Sequence, residues 1–298
     1  MEPVRVGLVG AGPWARLFTA PLLAAGPDLV LQAVWARRAE AATQLAEHHG
    51  AQVAHSLDDL VERCDAIAFA VPPDVQAELA ARVAAAGRPV LLDKPIGMTL
   101  AQAESLAAAI EDAGVVSQVV LTNRYLPAMR EFLAEAATFD AHGGRAAFLG
   151  SGSLEGDYFG TPWRLEQGAL LDLGPHALDA LDAALGPIVE IEAAGDPLGT
   201  VVVTCRHDRG AVSSAVLSAT APGDPSGLVV EVFGRGGRLR VDTAWSDPAE
   251  SGRQFGSAMT TIATEFAAAV RSRTPHALDS RRGLHLQRLI DAAGRSMH

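Results

Sequence analysis

The sequence predicts an α/β protein: a doubly wound parallel sheet at the N-terminus, then an α+β domain built on a mostly antiparallel open sheet. Three observations predict it. Up to about residue 122, short apolar or β-branched runs alternate with Ala/Leu/Glu-rich stretches of helical period. The first apolar run ends directly in a glycine-rich turn. Beyond residue 122, strand-like runs follow one another across short turns. Alternation gives βαβ units with helices on both faces of the sheet, whereas consecutive runs across tight turns give antiparallel hairpins.

In the first half, strands are expected at Val4–Val9, Leu29–Trp35, Ala66–Val71, Pro89–Leu92 and Val115–Leu121. Helices are expected at Trp14–Ala25, Ala39–His49, Val75–Ala86 and Leu100–Asp112. Gly26-Pro27-Asp28 stops the first helix, and Gly50, Gly87 and Gly114 follow the others, where a left-handed residue ends a helix. Thr99 and Gln102 form a capping box. In the second half, helices are expected at Leu126–Ala137 and Gly168–Leu185, the latter ended by Gly186-Pro187. Strands follow at Ile188–Ala194, Val201–His207, Ala211–Thr220, Leu228–Phe233 and Arg238–Asp242, with turns at Asp208-Arg209-Gly210 and Gly234-Arg235-Gly236-Gly237. Helices at Met259–Arg271 and Arg282–Gly294 complete the pattern. The expected domains are 1–122 and 123–298.

Composition narrows the function. A chain of 298 residues suggests about two domains. With 49% hydrophobic and 20% charged residues it is no disordered chain. Lys plus Arg is 24 and Asp plus Glu is 35, a net charge of −11 that repels a phosphate backbone and argues against a nucleic-acid partner. Cys64 and Cys205 lie far apart with no CxxC spacing, which fits a reducing compartment. The apolar run at Val4–Val9 is too short to cross a membrane and no cleavage pattern follows it, so a cytoplasmic location without membrane contact is expected. Val201–His207, Ala211–Thr220 and Leu228–Phe233 carry apolar residues at many successive positions. A sheet solvated on one face alternates, so a second buried face, and hence a homodimer or homotetramer, is expected.

The turn after the first strand reads Gly10-Ala11-Gly12-Pro13-Trp14-Ala15, a GxGxxA pattern that follows a strand and opens a helix. Its glycines permit a tight turn and close backbone approach to a pyrophosphate facing the helix N-terminus, the fingerprint of a dinucleotide site. After the second strand the chain reads Trp35-Ala36-Arg37-Arg38. The acid that holds the ribose 2′-hydroxyl of NAD is missing, and a guanidinium fits a 2′-phosphate, so NADP is favoured, with NAD possible. Two further segments bear chemistry. Asp93-Lys94-Pro95 ends the fifth strand, at the sheet edge where open α/β sheets bind ligands. Asp172 and His176 are four residues apart and share a helix face, and His is suited to proton transfer near neutral pH.

With these segments in order, the chain resembles the Gfo/Idh/MocA oxidoreductases. The likeness rests on the GxGxxA turn, Val71-Pro72-Pro73, Lys94-Pro95, Asn123-Arg124, Trp163-Arg164 and the Asp172/His176 pair. It implies an N-terminal Rossmann domain and a C-terminal α+β domain whose open sheet often builds oligomers. It also implies an interdomain cleft where a sugar or polyol hydroxyl meets the nicotinamide. On this likeness Lys94 stabilises the developing alkoxide, His176 is the general base, and Asp172 orients substrate or tunes its neighbours. Val71, Pro72, Pro73, Gln76, Asp93, Lys94 and Asn123 join the turn residues and Ala36–Arg38 as cofactor contacts. Tyr158, Trp163 and Arg164 are substrate candidates. Three positions depart from the family pattern: Asp93 replaces Glu, Gln167 replaces Gly and Gln76 replaces His.

Other features carry no chemistry. Asp172, His176 and Asp179 lack the rest of a ligand shell, so no metal is expected. His48 and His49 precede Gly50 at a helix end, His207 sits beside the turn at Asp208-Arg209-Gly210, and His142, His276, His285 and His298 show no partner spacing. Two alternatives remain on the resemblance: a dinucleotide-binding regulator, a class that tends to lose the Lys/Asp/His set kept here, and a glycosidase using NAD in a redox-assisted cycle.

Overall fold

The computed structural model describes residues 2–152, 154, 161–222 and 226–297. The chain divides into two compact units. The first comprises the residues up to Val120 together with Met259–His285, and the second Leu121–Ala258 with the residues from Leu286 onward.

The first unit holds six strands: β1 (Val4–Val9), β2 (Leu29–Trp35), β3 (Gln52–Val53), β4 (Ala66–Phe69), β5 (Val90–Asp93) and β6 (Ser117–Val120). They lie in the order β3-β2-β1-β4-β5-β6, and all neighbours are parallel. This is the doubly wound Rossmann order, with its reversal between β1 and β4. Helices α1 (Ala20–Ala24), α2 (Ala39–His49), α3 (Leu57–Arg63), α4 (Pro73–Ala85) and α5 (Leu100–Ala113) connect them. Gly50, Gly87 and Gly114 are left-handed at φ 67°, 76° and 61°. The Thr99/Gln102 capping box is present. The expected first helix is divided, with a π-helical turn at Ala15–Thr19 preceding α1. Strand β3 and helix α3 lie within a stretch with no expected element, because a two-residue strand and a seven-residue helix are too short to show a period.

The sequence division at 122/123 gives all later residues to the second domain, yet Met259–His285 pack with the first unit. The Val119 N–H donates to the Leu278 carbonyl at 2.7 Å, and the Ser280 N–H to Ser117 Oγ at 3.0 Å. Gln118, fully buried on β6, donates to the Ile262 carbonyl at 3.3 Å. Arg271 and Thr264 bind Asp28 at 3.1 and 3.0 Å. The returning chain thereby satisfies an edge strand that would otherwise be open.

The second unit is built on β7 (Ala141–Leu149), β8 (Ile188–Gly195), β9 (Thr200–His207), β10 (Val212–Ser218), β11 (Gly227–Gly234) and β12 (Gly237–Asp242). Their order is β12-β11-β7-β10-β9-β8, antiparallel except for β7 with β10. Its helices are α6 (Thr122–Tyr125), α7 (Pro127–Ala136), α8 (Pro162–Asp172) and α9 (Gly174–Leu185); α10 (Pro248–Ser272) and α11 (Ser280–Ser296) contribute residues to both units. The expected helix Gly168–Leu185 is two helices, and α10 starts well before Met259. The central strand β7 is absent from the sequence-based pattern. Its run AHGGRAAFL has two glycines and no β-branched residue, so nothing in it signals a strand. Both glycines are covered: a Cβ on Gly143 would lie 2.3 Å from the Phe233 ring, and one on Gly144 2.9 Å from Leu185 of α9.

Burial on β9 alternates strictly, unlike the continuous burial read from its apolar run. The inner face, with Val201, Val203, Leu217, Val230 and Val232 at 0% exposure, packs toward α9. The outer face carries Val202, Val212 and Phe233 exposed, and a buried carboxylate, Glu231. Arg145, opposite it on β7, donates a hydrogen bond to Glu231, and Arg238 and Arg240 stand 3.9 and 3.8 Å away. The Arg145 hydrogen bond is the main cause that holds the Glu231 carboxyl below its ordinary value. A group depressed on folding stabilises the native state above its unfolded pKa, and that stability is lost as pH falls through the native value. Glu231→Gln is therefore expected to melt a few degrees lower at pH 7 and to lose less further stability than wild type below about pH 4.5. Melting temperature against pH for the two proteins checks this; parallel curves would remove Glu231 from the acid transition.

Candidate functional site

The glycine turn follows directly from β1. Gly10 has φ 116°, and its N–H donates to the Trp35 carbonyl at 2.9 Å. A Cβ there would lie 2.3 Å from the Ala70 carbonyl oxygen and 3.0 Å from Val71, so glycine is required by the protein itself. Gly12 differs: a Cβ would meet nothing within 4 Å. The space beside Gly12 is open, as a backbone cradle for a pyrophosphate needs. Pro13 and Trp14 open the helical stretch, and Trp14 stacks on Phe18 with ring centroids 4.4 Å apart and planes within 8°. π-turns of this kind often occur at functional sites.

Ala36, Arg37 and Arg38 follow β2, with Arg38 at the N-cap of α2. Arg37 and Arg38 are exposed, and among the described residues neither side chain has a hydrogen bond or ion pair. Their guanidinium groups are available to an anion. Pro72 caps α4 and Pro73 is its first residue. These groups fit a dinucleotide: a positive-φ glycine at the strand end, open space at the next glycine, and two unengaged cations after the second strand.

Lys94 follows β5 at the same carboxyl edge of the parallel sheet as the glycine turn. β5 stands two strands from β1, about 10 Å at roughly 4.8 Å per strand. The Asp93 carboxylate accepts from the Lys94 N–H at 2.8 Å. Gln76, buried in the first turn of α4, directs its carboxamide at the backbone of Asp93 and Pro95.

In the second unit, α8 is broken at Gly168, with φ 71° and ψ −169°. A Cβ there would lie 1.9 Å from the Pro197 carbonyl oxygen. Beyond the break the last turn of α8 carries Asp172. Leu173 keeps helical dihedrals between α8 and α9, and its carbonyl accepts from the His176 N–H at 3.1 Å. The four-residue spacing of Asp172 and His176 thus stays close to one helical turn despite the two helices. Both side chains are buried, and the His176 ring lies 5.9 Å from that of Phe148. Arg164 donates from Nε to Asp172 at 3.2 Å and from Nη1 to Thr161 at 3.0 Å, with its guanidinium 4.6 Å above the Trp163 ring. Both members of the Arg164–Asp172 pair are about nine-tenths buried, so the pair is shielded from solvent and each charge depends on the other.

Read from the sequence as a substrate contact, Arg164 is found holding Asp172. Gln76 and Asn123, read as cofactor contacts, are found on protein partners: Gln76 on the lysine segment, and Asn123 Oδ1 accepting from Thr243 at 3.3 Å in the second unit. Tyr158 lies outside the described residues. Arg124, which had no role, pairs with fully buried Asp179 of α9 at 3.0 Å; partners 55 residues apart leave no local signal. Among the described residues no cluster of three or more His, Cys, Asp or Glu could hold a metal, and no helix is long and apolar enough to cross a membrane. Burial pushes the Cys64 and Cys205 thiols up to about 12 and about 11, so neither is a nucleophile at neutral pH.

The contrast between the two glycines is testable. Gly10→Ala is expected to unfold the protein or lower its melting temperature strongly. Gly12→Ala should leave melting nearly unchanged while weakening dinucleotide binding about tenfold or more, a loss of roughly 1.4 kcal/mol. Thermal melts and cofactor titrations on both variants decide; unaltered binding by Gly12→Ala would clear that glycine of any contact.

Residues 4–121 match the oxidoreductase family, NAD-binding Rossmann fold (GFO_IDH_MocA), and residues 128–240 match the GFO/IDH/MocA C-terminal domain. A dTDP-3,4-didehydro-2,6-dideoxy-alpha-D-glucose 3-reductase of Streptomyces antibioticus is 31% identical over 264 residues, 82% of this chain and 77% of its own. The scyllo-inositol 2-dehydrogenase (NADP(+)) IolU of Bacillus subtilis is 24% identical over 72% of each chain. The crystal structure of GenD2 from gentamicin A biosynthesis, in complex with NAD, superposes with TM-score 0.87 at 26% identity over 99% of this chain and 94% of its own. A myo-inositol dehydrogenase of Corynebacterium glutamicum has the same fold, with TM-score 0.82 at 22% identity over 99% and 96%. Matched by both family models, and 31% identical over 82% of its length to the Streptomyces antibioticus reductase, the chain belongs to the GFO/IDH/MocA family of oxidoreductases.

Proposed function

We propose that the protein is an NADP(H)-dependent dehydrogenase or reductase that interconverts a secondary hydroxyl and a ketone on a sugar, with nucleotide-linked deoxysugars the first candidates and polyols the next. The observation that carries this reading is Lys94 held at the carboxyl edge of the parallel sheet that also bears the glycine turn, in a chain that retains Asp172 and His176. The nucleotide-sugar preference is drawn from the 3-reductases of Streptomyces antibioticus and Actinomadura kijaniata, 31% and 28% identical.

When bound, the nicotinamide supplies or accepts the hydride. Gly10, Gly12, Pro13, Trp14 and the Val71-Pro72-Pro73 turn would hold the dinucleotide, with Arg37 and Arg38 on a 2′-phosphate. The Lys94 ammonium donates to the substrate oxygen and stabilises negative charge that develops there. His176 takes the hydroxyl proton on oxidation and returns it on reduction. Asp172, held by Arg164, is an acceptor that orients its neighbours and not the proton carrier. The exposed apolar residues Val202, Val212 and Phe233 on the outer sheet face support assembly as a homodimer or homotetramer. Light scattering at micromolar concentration tests this, and a single 31.0 kDa species would refute it.

NADPH should bind more tightly than NADH by roughly ten- to a hundredfold, the worth of one charge-assisted contact of about 1.5–3 kcal/mol, and Arg37→Ala should remove most of that gap. Equal affinities in the wild-type protein would sink the NADP assignment. His176→Ala should lower turnover about a hundredfold or more with NADPH affinity nearly unchanged. Lys94→Ala should also lower turnover, because a donor to the developing alkoxide is lost. The assay follows NADPH absorbance against a panel of dTDP-linked keto-deoxysugars, scyllo-inositol, D-galactose and D-apiose with their oxidised forms. A His176→Ala enzyme that is stable and fully active would take His176 out of the mechanism.

A further inference from the structure

We infer that Gln76 is a positioning residue for Lys94: its carboxamide grips the chain on both sides of the lysine and does not bind the cofactor. The inference rests on the reading of Lys94 given above. Gln76 lies in the first turn of α4, is 1% exposed, and its own N–H is tied to the Pro72 carbonyl at 2.9 Å. Its Oε1 accepts from the Asp93 N–H at 2.8 Å. Its Nε2 donates to the Asp93 carbonyl at 2.9 Å and to the Pro95 carbonyl at 3.3 Å. A carboxamide facing a peptide N–H and C=O reproduces the two bonds that a neighbouring strand would make. β5 pairs with β4 only as far as Leu91, so Gln76 supplies a strand-like neighbour for Asp93, the last residue of β5, just before Lys94 departs.

Lys94 therefore stands between two residues gripped by one side chain, and its N–H is held by the Asp93 carboxylate. A lysine is a point charge on a flexible four-carbon stem, so its accuracy depends on how firmly its root is fixed. Misplacement by about 1 Å can cost a catalytic contact a factor of about a hundred. Both amide hydrogens of Gln76 are engaged with backbone carbonyls, which leaves no donor for a phosphate or a nicotinamide. The side chain thus works through Lys94, in contrast to its expected place among the cofactor contacts.

The test is a double-mutant cycle on the full-length protein, with the compound of the panel that wild type turns over fastest. Gln76→Met conserves volume and removes all three bonds. Gln76→Glu keeps the acceptor for the Asp93 N–H but turns an oxygen toward two carbonyl oxygens unless it is protonated. Gln76→Met is expected to lower kcat between about ten- and a hundredfold and to change the NADPH dissociation constant by less than about twofold. In a Lys94→Ala background the same substitution should change kcat by less than about twofold, because the group it positions is gone. Gln76→Glu should be more impaired at pH 8 than at pH 6. Three results would overturn the inference: wild-type kcat in Gln76→Met, a loss of NADPH affinity that accounts for the loss of turnover, or an equal fold-loss with and without Lys94. If Gln76→Met does not fold, the cycle with Gln76→Glu decides by the same criteria. Wild-type turnover in Lys94→Ala would instead overturn the catalytic reading of Lys94 and this inference with it. An impaired Lys94→Ala beside an unimpaired Gln76→Met would overturn this inference alone.

Discussion

The crowding of β1 against β4 at Gly10 is the constraint from which the N-terminal unit takes its form. A side chain there would have to occupy the space of the Ala70 carbonyl oxygen. With glycine the strands close up, and the chain turns at positive φ directly above the point where strand order reverses. The crevice of a doubly wound sheet opens at that point because neighbouring connections leave on opposite faces. The next glycine meets no such constraint, so one short motif holds a residue needed for the fold beside a residue whose smallness serves what lies outside it.

The second unit relies on a different device. Asp172, Asp179 and Asp182 are all buried on α8 and α9, and each is tied to a group on another segment: before the Gly168 break, on α6 or on β8. Arg164 holds Asp172, Arg124 holds Asp179, and the Ile188 N–H donates to Asp182 at 2.9 Å. An aspartate buried without a partner would be strongly unfavourable, so each pair specifies where its helix must lie. Together they fix the ends and the middle of the helical segment that carries His176. His207 does similar work at the sheet: its Nδ1–H donates to the Gly186 carbonyl and its Nε2 accepts from Ser213 at 2.8 Å. It is a satisfied core histidine.

What the sequence reveals follows from the range of each interaction. The β1, β2, β9, α2 and α5 boundaries are legible because period, capping residues and left-handed glycines lie within a few positions of one another. Strand β7 is not, because its place is created by Phe233 and Leu185 covering its glycines from distant segments. The same holds at the candidate site. Lys94, Asp172 and His176 stand out by position and spacing. The partners that fix them, Gln76 17 residues before Asp93 and Arg164 eight before Asp172, are assigned to ligands until the fold shows which way they face. Side chains that recognise backbone groups carry no sequence mark of doing so.

The hydrogen bond from Val119 to Leu278 has a consequence for synthesis. A nascent chain that has emerged only as far as Val120 already contains all six strands of the parallel sheet, yet its last strand has no neighbour on one side. The segment that completes that edge is made more than 130 residues later, after the entire second sheet. Vectorial folding from the N-terminus therefore cannot finish the first unit before the second has been translated. Through that interval the edge of β6 stays open to pairing with another chain, and the ribosome's own pace sets how long it stays so.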